Sequence, residues 1–480
     1  MGEAGGALVE GPRQPNLLFL LTDEQRFDSL PCYGADWVQA PHLDALSEES
    51  FVFENAYTPQ PVCCPARGAI MTGLWPHTTG LTFNSVPLPP EAQTVAEMLG
   101  DAYTCGNFGR WHLGDDVLPQ HGFSEWVSLQ HSIGSATGRT GLGPSTFHRY
   151  LIAQGFEPDQ EIDGAPAFSP EFEARLPAQH QTSTFLADHA TSFIRDAQEP
   201  FFLVVSFHDP HPPYLGPLDD LYGPATLPVG PAFLRWPDAD GPFFLRQLAE
   251  AYRARTMFGQ DLSTEAGWRA QRAHYFGQVT FVDRAIGRIL AALEESGLDD
   301  DTVVVFSSDH GDTLGDHRLF GKRYLYEPSA RVPLMMRVPW LGRSQRLVPG
   351  NVSLIDLAPT FLELLGQAVP DHLQGQSRVA ALEGEDSLTG NDVFIEQCGL
   401  GEGKWEMNDV PWRSIVSADR FKLNLTAFDR CQLFDLNRDP HELRNLIDEP
   451  DQRDRIRRLT ARLWAWQQET GDTVPLPTIG

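Results

Sequence analysis

A chain of 480 residues, 41% of them hydrophobic, can bury a sizeable core, and its length suits one large α/β domain with a smaller appendage. Its formal net charge of −29 sets the overall field against nucleic acid and anionic membranes, so an anionic substrate would need a local cluster of cations. The apolar run at residues 17–21 is far short of a membrane span or a signal-peptide core, "MGEAGG" lacks the hydroxyl residue that myristoylation requires, and the six cysteines make neither a CxxC zinc site nor a disulfide scaffold. The expectation is a cytoplasmic protein with reduced thiols and no nucleic-acid or membrane partner; no feature of the sequence fixes an oligomeric state.

In chain order, "NLLFLLTDEQRFD" opens as an apolar strand, Asn16–Thr22, and ends in acidic residues. "APHLDALSEES" reads as a helix start, "QTVAEMLGD" as a short amphipathic helix and "AYTCGNFG" as a strand running on into "GRWHLG". "PFFLVVSFHDPHPPY" is a second buried strand that enters a Pro/His loop. "RAHYFGQVTFVDRAIGRILAALEESG" has long helical periodicity with a glycine stop, and "DDTVVVFSSDHGD" is a third buried strand. "NVSLIDLAPTFLELLG" is a strand followed by a helix. Past about residue 385 come short strands, "DVFIEQ", "WRSIVS", "FKLNLT" and "CQLFDL", then a terminal helix. Continuous apolar strands alternating with helices predict a large, mostly parallel central sheet covered by helices on both faces. The division expected is a catalytic α/β domain over 1–385 and a small C-terminal antiparallel sheet plus helix over 386–480. Residues 132–185 and 215–268 read as pocket-shaping insertions, whose aromatics Phe147, Tyr150, Trp236, Phe243 and Phe244 belong either to that pocket or to the core.

In open α/β sheets, ligands bind beyond the carboxyl ends of the strands. All three strong strands end there in Asp, His or both: Asp23, His208 with His211, and Asp309 with His310. Two carboxylates and an imidazole suit a divalent cation, with Glu24 as an extra ligand; capping of the following turns is the alternative for either Asp alone. Oxygen donors favour Ca²⁺ or Mg²⁺, and the imidazole admits Mn²⁺ or Zn²⁺. Arg67, Arg110, His112, His211 and Lys322 lie in Gly-, Pro- or aromatic-bounded segments and would supply the charge-assisted donors that a tetrahedral oxyanion needs. Arg110 and His112, two apart on a strand, would share a face. Cys63, in "PVCCPARGAIMTG", is open to three readings: a small buried hydrophobe, a thiolate nucleophile whose pKa Arg67 lowers, or a residue to be modified.

Cys63-x-Pro65-x-Arg67 followed by Gly68 to Gly73 resembles the signature of the type I sulfatases, in which the first cysteine is oxidised to formylglycine. Cys64 fills the variable place. "GRWHLG", "SFHDPHPPY", "SSDHGDTLGDHRLFGK" and "CQLFDLNRDPHELRNL" follow in the order of that family's segments, over nearly the whole chain. There are three departures: Glu24 where many members have Asp, Arg110 where the usual residue is Lys, and His310 where others have Asn. His310 and Asn84, in "LTFNSVPL", resemble the related phosphonate monoester hydrolases of the same alkaline phosphatase superfamily.

The resemblance implies formylglycine at position 63, made by a maturase, and one divalent ion, Ca²⁺ first, held by Asp23, Asp309, His310 and residue 63 with Glu24 beside them. A hydroxyl of hydrated formylglycine would attack sulfur in line. Arg67 would steady that residue, and Lys322, His211, Arg110 and Asn84 would contact the ester. Lys322 or His211 would protonate the departing alcohol, and His112 would deprotonate the second hydroxyl so that sulfate is expelled. The substrate implied is a small-molecule or carbohydrate sulfate ester. A phosphonate monoester hydrolase and a catalytically silent binding protein on the same fold are the competing readings.

Overall fold

The computed structural model describes residues 14–84, 86–129, 143–162, 165–198, 200–398 and 410–477. The "MGEAGG" segment and residues 132–142 of the first insertion lie outside the described residues. A nine-stranded sheet forms the centre. From one edge it runs Arg346–Ser353, Phe51–Tyr57, the segments Arg331–Val332 and Leu334–Arg337, Thr302–Ser308, Asn16–Thr22, Phe201–Ser206, Thr104–Gly109 and Glu125–Ser128. Every pairing from Thr302–Ser308 to Glu125–Ser128 is parallel, so the mostly parallel α/β class expected from the sequence is what the chain adopts.

The continuous apolar runs are explained by burial on both faces. In Asn16–Thr22, Leu18 and Leu20 point to one face, where they join Leu203, Val205, Val304 and Phe306 beneath the helices Thr182–Asp196 and Glu265–Glu295. Leu17, Phe19 and Leu21 point to the other, with Phe202, Val204, Val303 and Val305 against the helices Cys63–Thr72 and Leu357–Leu364.

A four-stranded antiparallel sheet, Val393–Gln397, Trp412–Val416, Phe421–Leu425 and Gln432–Asp435, carries the helix Arg453–Thr470 on one face. Ile415, Leu423 and Leu433 pack on Ile456, Leu459 and Leu463 of that helix. The opposite face, with Ile395, Trp412, Val416 and Phe434, packs on Tyr57, Leu319 and Tyr324–Tyr326 of the larger body. The boundary expected at 385/386 falls between the helix Val379–Glu383 and the first strand of this sheet.

One expectation needs correcting. "GRWHLG" is not strand: the strand ends at Gly109, and His112 takes a left-handed φ of 58°. Gly109 has φ 116°, and a Cβ there would lie 2.0 Å from the Ser206 carbonyl, so only glycine allows the turn off the sheet. Arg110 and His112 still meet, through this turn and not through strand alternation.

Candidate active site

Thr22 and Ser308 are register partners in neighbouring parallel strands, so the next residues, Asp23 and Asp309, leave the sheet side by side. Both are fully buried. The helix Cys63–Thr72 ends over them. Pro65 is tolerated in its first turn, where the N–H groups have no intrahelical partner, and Gly73 closes it in the left-handed conformation. Asn84 Oδ1 accepts the Cys64 N–H at 3.1 Å, so Asn84 caps this helix. One turn along, Arg67 donates Nε to Asp309 Oδ2 (2.9 Å), Nη2 to Asp23 Oδ2 (3.0 Å) and Nη1 to Ser206 Oγ (2.7 Å) and the Arg110 carbonyl (2.8 Å). One guanidinium thus ties the helix to four strand ends.

Cys63 Sγ, fully buried, lies 3.2 Å from His310 Nε2 and 3.6 Å from Asp23 Oδ1. Burial and the neighbouring Asp23 push its thiol pKa up, against the pull of Lys322. Arg67, the residue expected to lower it, is instead committed to the two aspartates. His310 Nδ1 faces the Gly311 carbonyl at 3.0 Å and must donate to it, which leaves the Nε2 lone pair facing the carboxylates, 3.5 Å from Asp309 Oδ1 and 3.8 Å from Asp23 Oδ1. Asp23, Cys63, Asp309 and His310 each bring one ligand atom, all within 4.8 Å of one another. Two carboxylates and an imidazole lone pair converging in a buried place are the donor set of a divalent cation.

Glu24 stands apart from these four. At φ 71° its carboxylate reaches Lys322 Nζ (2.8 Å) and His211 Nε2 (3.5 Å), and it forms a second group with Asp23 and His211. Burial pushes the Glu24 pKa well up, against Lys322. Burial acts on Asp23 in the same direction, but the cations Arg110, Arg67 and Lys322 together hold it well below the usual carboxylate range. Lys322 is opposed by burial, yet the carboxylates of Glu24 and Asp23 raise its pKa, so it stays an ammonium. His211 is held neutral by burial and by Lys322, with Nδ1 donating to the Pro212 carbonyl at 2.8 Å.

Arg110 Nε lies 3.2 Å from both Asp23 Oδ2 and His112 Nδ1, while its buried Nη1 has no partner. An unpartnered guanidinium N–H in a buried site is a docking point for an oxyanion. Burial, Arg110 and Arg67 keep His112 neutral, and its backbone N–H is fixed by Asp116 Oδ1 at 2.8 Å. Every site residue singled out in the sequence lies in this cluster or on its border. Sequence reasoning missed Ser206, Asp116 and Asp312; the last accepts the N–H groups of Leu314 (2.7 Å) and Gly321 (3.0 Å) and so shapes the loop into Lys322. The spacing Asp309-x-x-Asp312 was the available signal. Of the insertion aromatics, Phe147 and Tyr150 belong to the core, Trp236 and Phe243 are exposed, and Phe244 lines a cavity beside Lys322.

The topology and this charged cluster define a hydrolase of the alkaline phosphatase superfamily. The sulfatase family profile matches residues 15–367, and that of the N-sulphoglucosamine sulphohydrolase C-terminal region matches 315–469. The chain belongs to the sulfatase family. It is 27% identical to the ulvan-active sulfatase of Formosa agariphila over 96% of this chain and 82% of that one. It is 26% identical to the N-acetylglucosamine-6-O-sulfatase of Bacteroides thetaiotaomicron, covering 97% of this chain and 88% of the other. Among solved structures, the phosphonate monoester hydrolase SpPMH of Silicibacter pomeroyi superposes with a TM-score of 0.78 at 26% identity, over 95% of this chain and 96% of that one. No helix among the described residues is long and apolar enough to cross a membrane.

Proposed function

We propose that this sulfatase-family hydrolase cleaves a sulfate monoester to alcohol and sulfate, with formylglycine at position 63 as the nucleophile. The convergence of ligand atoms from Asp23, Cys63, Asp309 and His310 within 4.8 Å carries the reading. Asp23, Asp309 and His310 would hold a divalent cation, Ca²⁺ in our reading, with the oxygen of residue 63 in place of the Cys63 sulfur. Bound there, the ion supplies Lewis-acid activation and neutralises charge. Arg67 fixes residue 63 against the two aspartates. Arg110, through its unpartnered Nη1, and Lys322 bind the ester oxygens. Lys322, kept protonated, gives the proton to the departing alcohol; neutral His211, whose Nε2 carries a lone pair, accepts a hydrogen bond there. His112 Nδ1 is engaged by Arg110, so its work as a base on the second formylglycine hydroxyl begins when the ester oxygens draw that guanidinium away.

Cys63→Ala should lower kcat by at least about 10⁴-fold while leaving the thermal midpoint unchanged. Protein produced with a formylglycine-generating maturase should give a residue-63 peptide about 18 Da lighter than the thiol form. Full activity in the Ala variant would end the proposal. The alternative is a phosphonate monoester as substrate, favoured by His310, Asn84 and the likeness to SpPMH. The Arg110-x-His112 pair favours sulfate. Turnover of 4-nitrophenyl sulfate against 4-nitrophenyl phenylphosphonate by the matured enzyme decides between them.

A further inference from the structure

The charged cluster opens on its Lys322 side into a cavity of about 200 Å³. Glu24, His211 and Lys322 form one end of it. The rest of the wall comes from three distant parts of the chain. Phe244, Leu248 and Tyr252 come from the helix Phe243–Arg253, Phe320 and Tyr324 flank Lys322, and Trp412 stands on the C-terminal sheet. The wall is braced from within. The rings of Phe244 and Trp412 are 5.7 Å apart and those of Tyr252 and Phe320 are 5.9 Å apart. The tyrosine hydroxyls are turned to one another, 3.4 Å apart, and both donate to the Phe320 carbonyl at 3.3–3.4 Å. These two side chains therefore already have hydrogen-bond partners within the wall. Among the described residues, the lining beyond Glu24, His211 and Lys322 adds the polar groups of Arg323, Gln397 and the Trp412 indole; Gln397 Oε1 and Trp412 Nε1 have no partner, two open sites where a sugar brings a hydroxyl on nearly every carbon.

A pyranose carries a hydroxyl on nearly every ring carbon, and each one buried without a partner costs about 1–3 kcal/mol. A flat hydrocarbon ring has no such cost and gains from the aromatic wall. Size agrees: a cavity of about 150 Å³ suffices for benzene. Resting on the ester-hydrolase reading of the cluster, we propose that this cavity receives the leaving group and selects the ester of an alcohol with one apolar aromatic ring over a sugar ester. Phe244, Leu248 and Trp412 are its specificity-determining residues. The preference runs opposite to the carbohydrate that names the Bacteroides relative.

The test must not confuse fit with leaving-group acidity. 2-Phenylethyl sulfate and N-acetylglucosamine 6-sulfate are both esters of primary alcohols, so their intrinsic reactivities are close. The matured enzyme should show a kcat/KM at least about 10-fold higher for the phenylethyl ester, as apolar pockets discriminate by about 10–200-fold per group. Leu248→Asn should shrink that ratio at least about fivefold, mainly through KM for the phenylethyl ester. Calorimetric binding of both esters to the Cys63→Ala protein separates the pocket from the reaction. The phenylethyl ester binding more tightly there supports the pocket even if no sulfate is released by the matured enzyme, in which case only the sulfatase reading falls. Equal or tighter binding of the sugar ester, or a ratio that Leu248→Asn leaves unchanged, overturns the pocket while leaving sulfate hydrolysis standing.

Discussion

Two of the buried groups of charges in this protein are built differently. Between the C-terminal sheet and the larger body, Lys422 Nζ donates to the Leu325 carbonyl at 2.7 Å and to Glu442 Oε1 at 2.9 Å, and pairs with Glu327 Oε1 at 2.8 Å. Arg420 closes the other side, with Glu327 Oε2 at 3.4 Å and the Tyr57 hydroxyl at 2.5 Å. At the strand ends around Asp23, by contrast, Arg110 Nη1 has no partner and the His310 lone pair faces a thiol that binds it weakly. The first cluster matches each charge with an opposite one, whereas the second leaves a guanidinium N–H open for what it will hold.

Position 63 aside, the contrast is broken most severely at Lys422. Lys422→Ala strands two carboxylates in the interior and should cost about 3–5 kcal/mol in urea unfolding, while kcat of the folded fraction stays within about twofold. Arg110→Ala should do the reverse. Losing an oxyanion donor should lower kcat/KM about 10²–10³-fold, as measured for other such donors. Stability should fall by less than for Lys422→Ala, because Asp23 keeps Arg67 as a buried partner at 3.0 Å.

A finer probe is Glu442. Burial pushes its carboxyl up to about 7, against Lys422, whereas Glu327, also pushed up by burial, is held down at about 2 by Lys422 and Arg420; Tyr57 and Arg331 complete the charged surroundings. A folded-state pKa raised above the unfolded value gives stability that is complete below the ordinary carboxylate pKa of about 4.3 and is lost as pH rises towards 7. The depressed Glu327 works oppositely: its contribution is complete above about 4.3 and is lost as pH falls through 2. Glu442→Gln should therefore remove part of the fall in thermal midpoint between pH 4 and 7 and leave the acid limb below pH 4 in place. Parallel melting curves for the two proteins over pH 4–7 would contradict this. The smallest effect expected is for Asn84→Ala, where losing the cap on Cys64 N–H should cost about 1 kcal/mol. A loss of affinity for substrate beyond that would mark Asn84 as a direct contact.

The sheet was legible because strands buried on both faces are written as apolar runs, and Asp23, His211 and Asp309 stand where those runs stop. The helix carrying Cys63 and Arg67 was legible as a spacing. What sequence could not yield was the direction of each side chain. Arg110 reaches the cluster because Gly109 turns the chain off the sheet, and Ser206 is one serine among many until Arg67 donates to it. Glu24 adjoins Asp23 in sequence but turns to Lys322, since a left-handed φ reverses where its side chain starts. The cavity wall was least legible of all. Phe244 and Trp412 lie far apart in the chain, and an aromatic residue that lines a cavity reads no differently from Phe147, which fills the core.

All ten residues of the helix that starts at Cys63 are buried, and the sulfur itself sits behind carboxylates, imidazole and guanidinium. On the proposed chemistry, that enclosure sets a timetable. A maturase has to reach the Cys63 sulfur, and the folded protein encloses it. Oxidation must come while the polypeptide is still nascent or unfolded, so a molecule that folds first is locked as the inert thiol, and catalytic competence is decided by a race during biosynthesis.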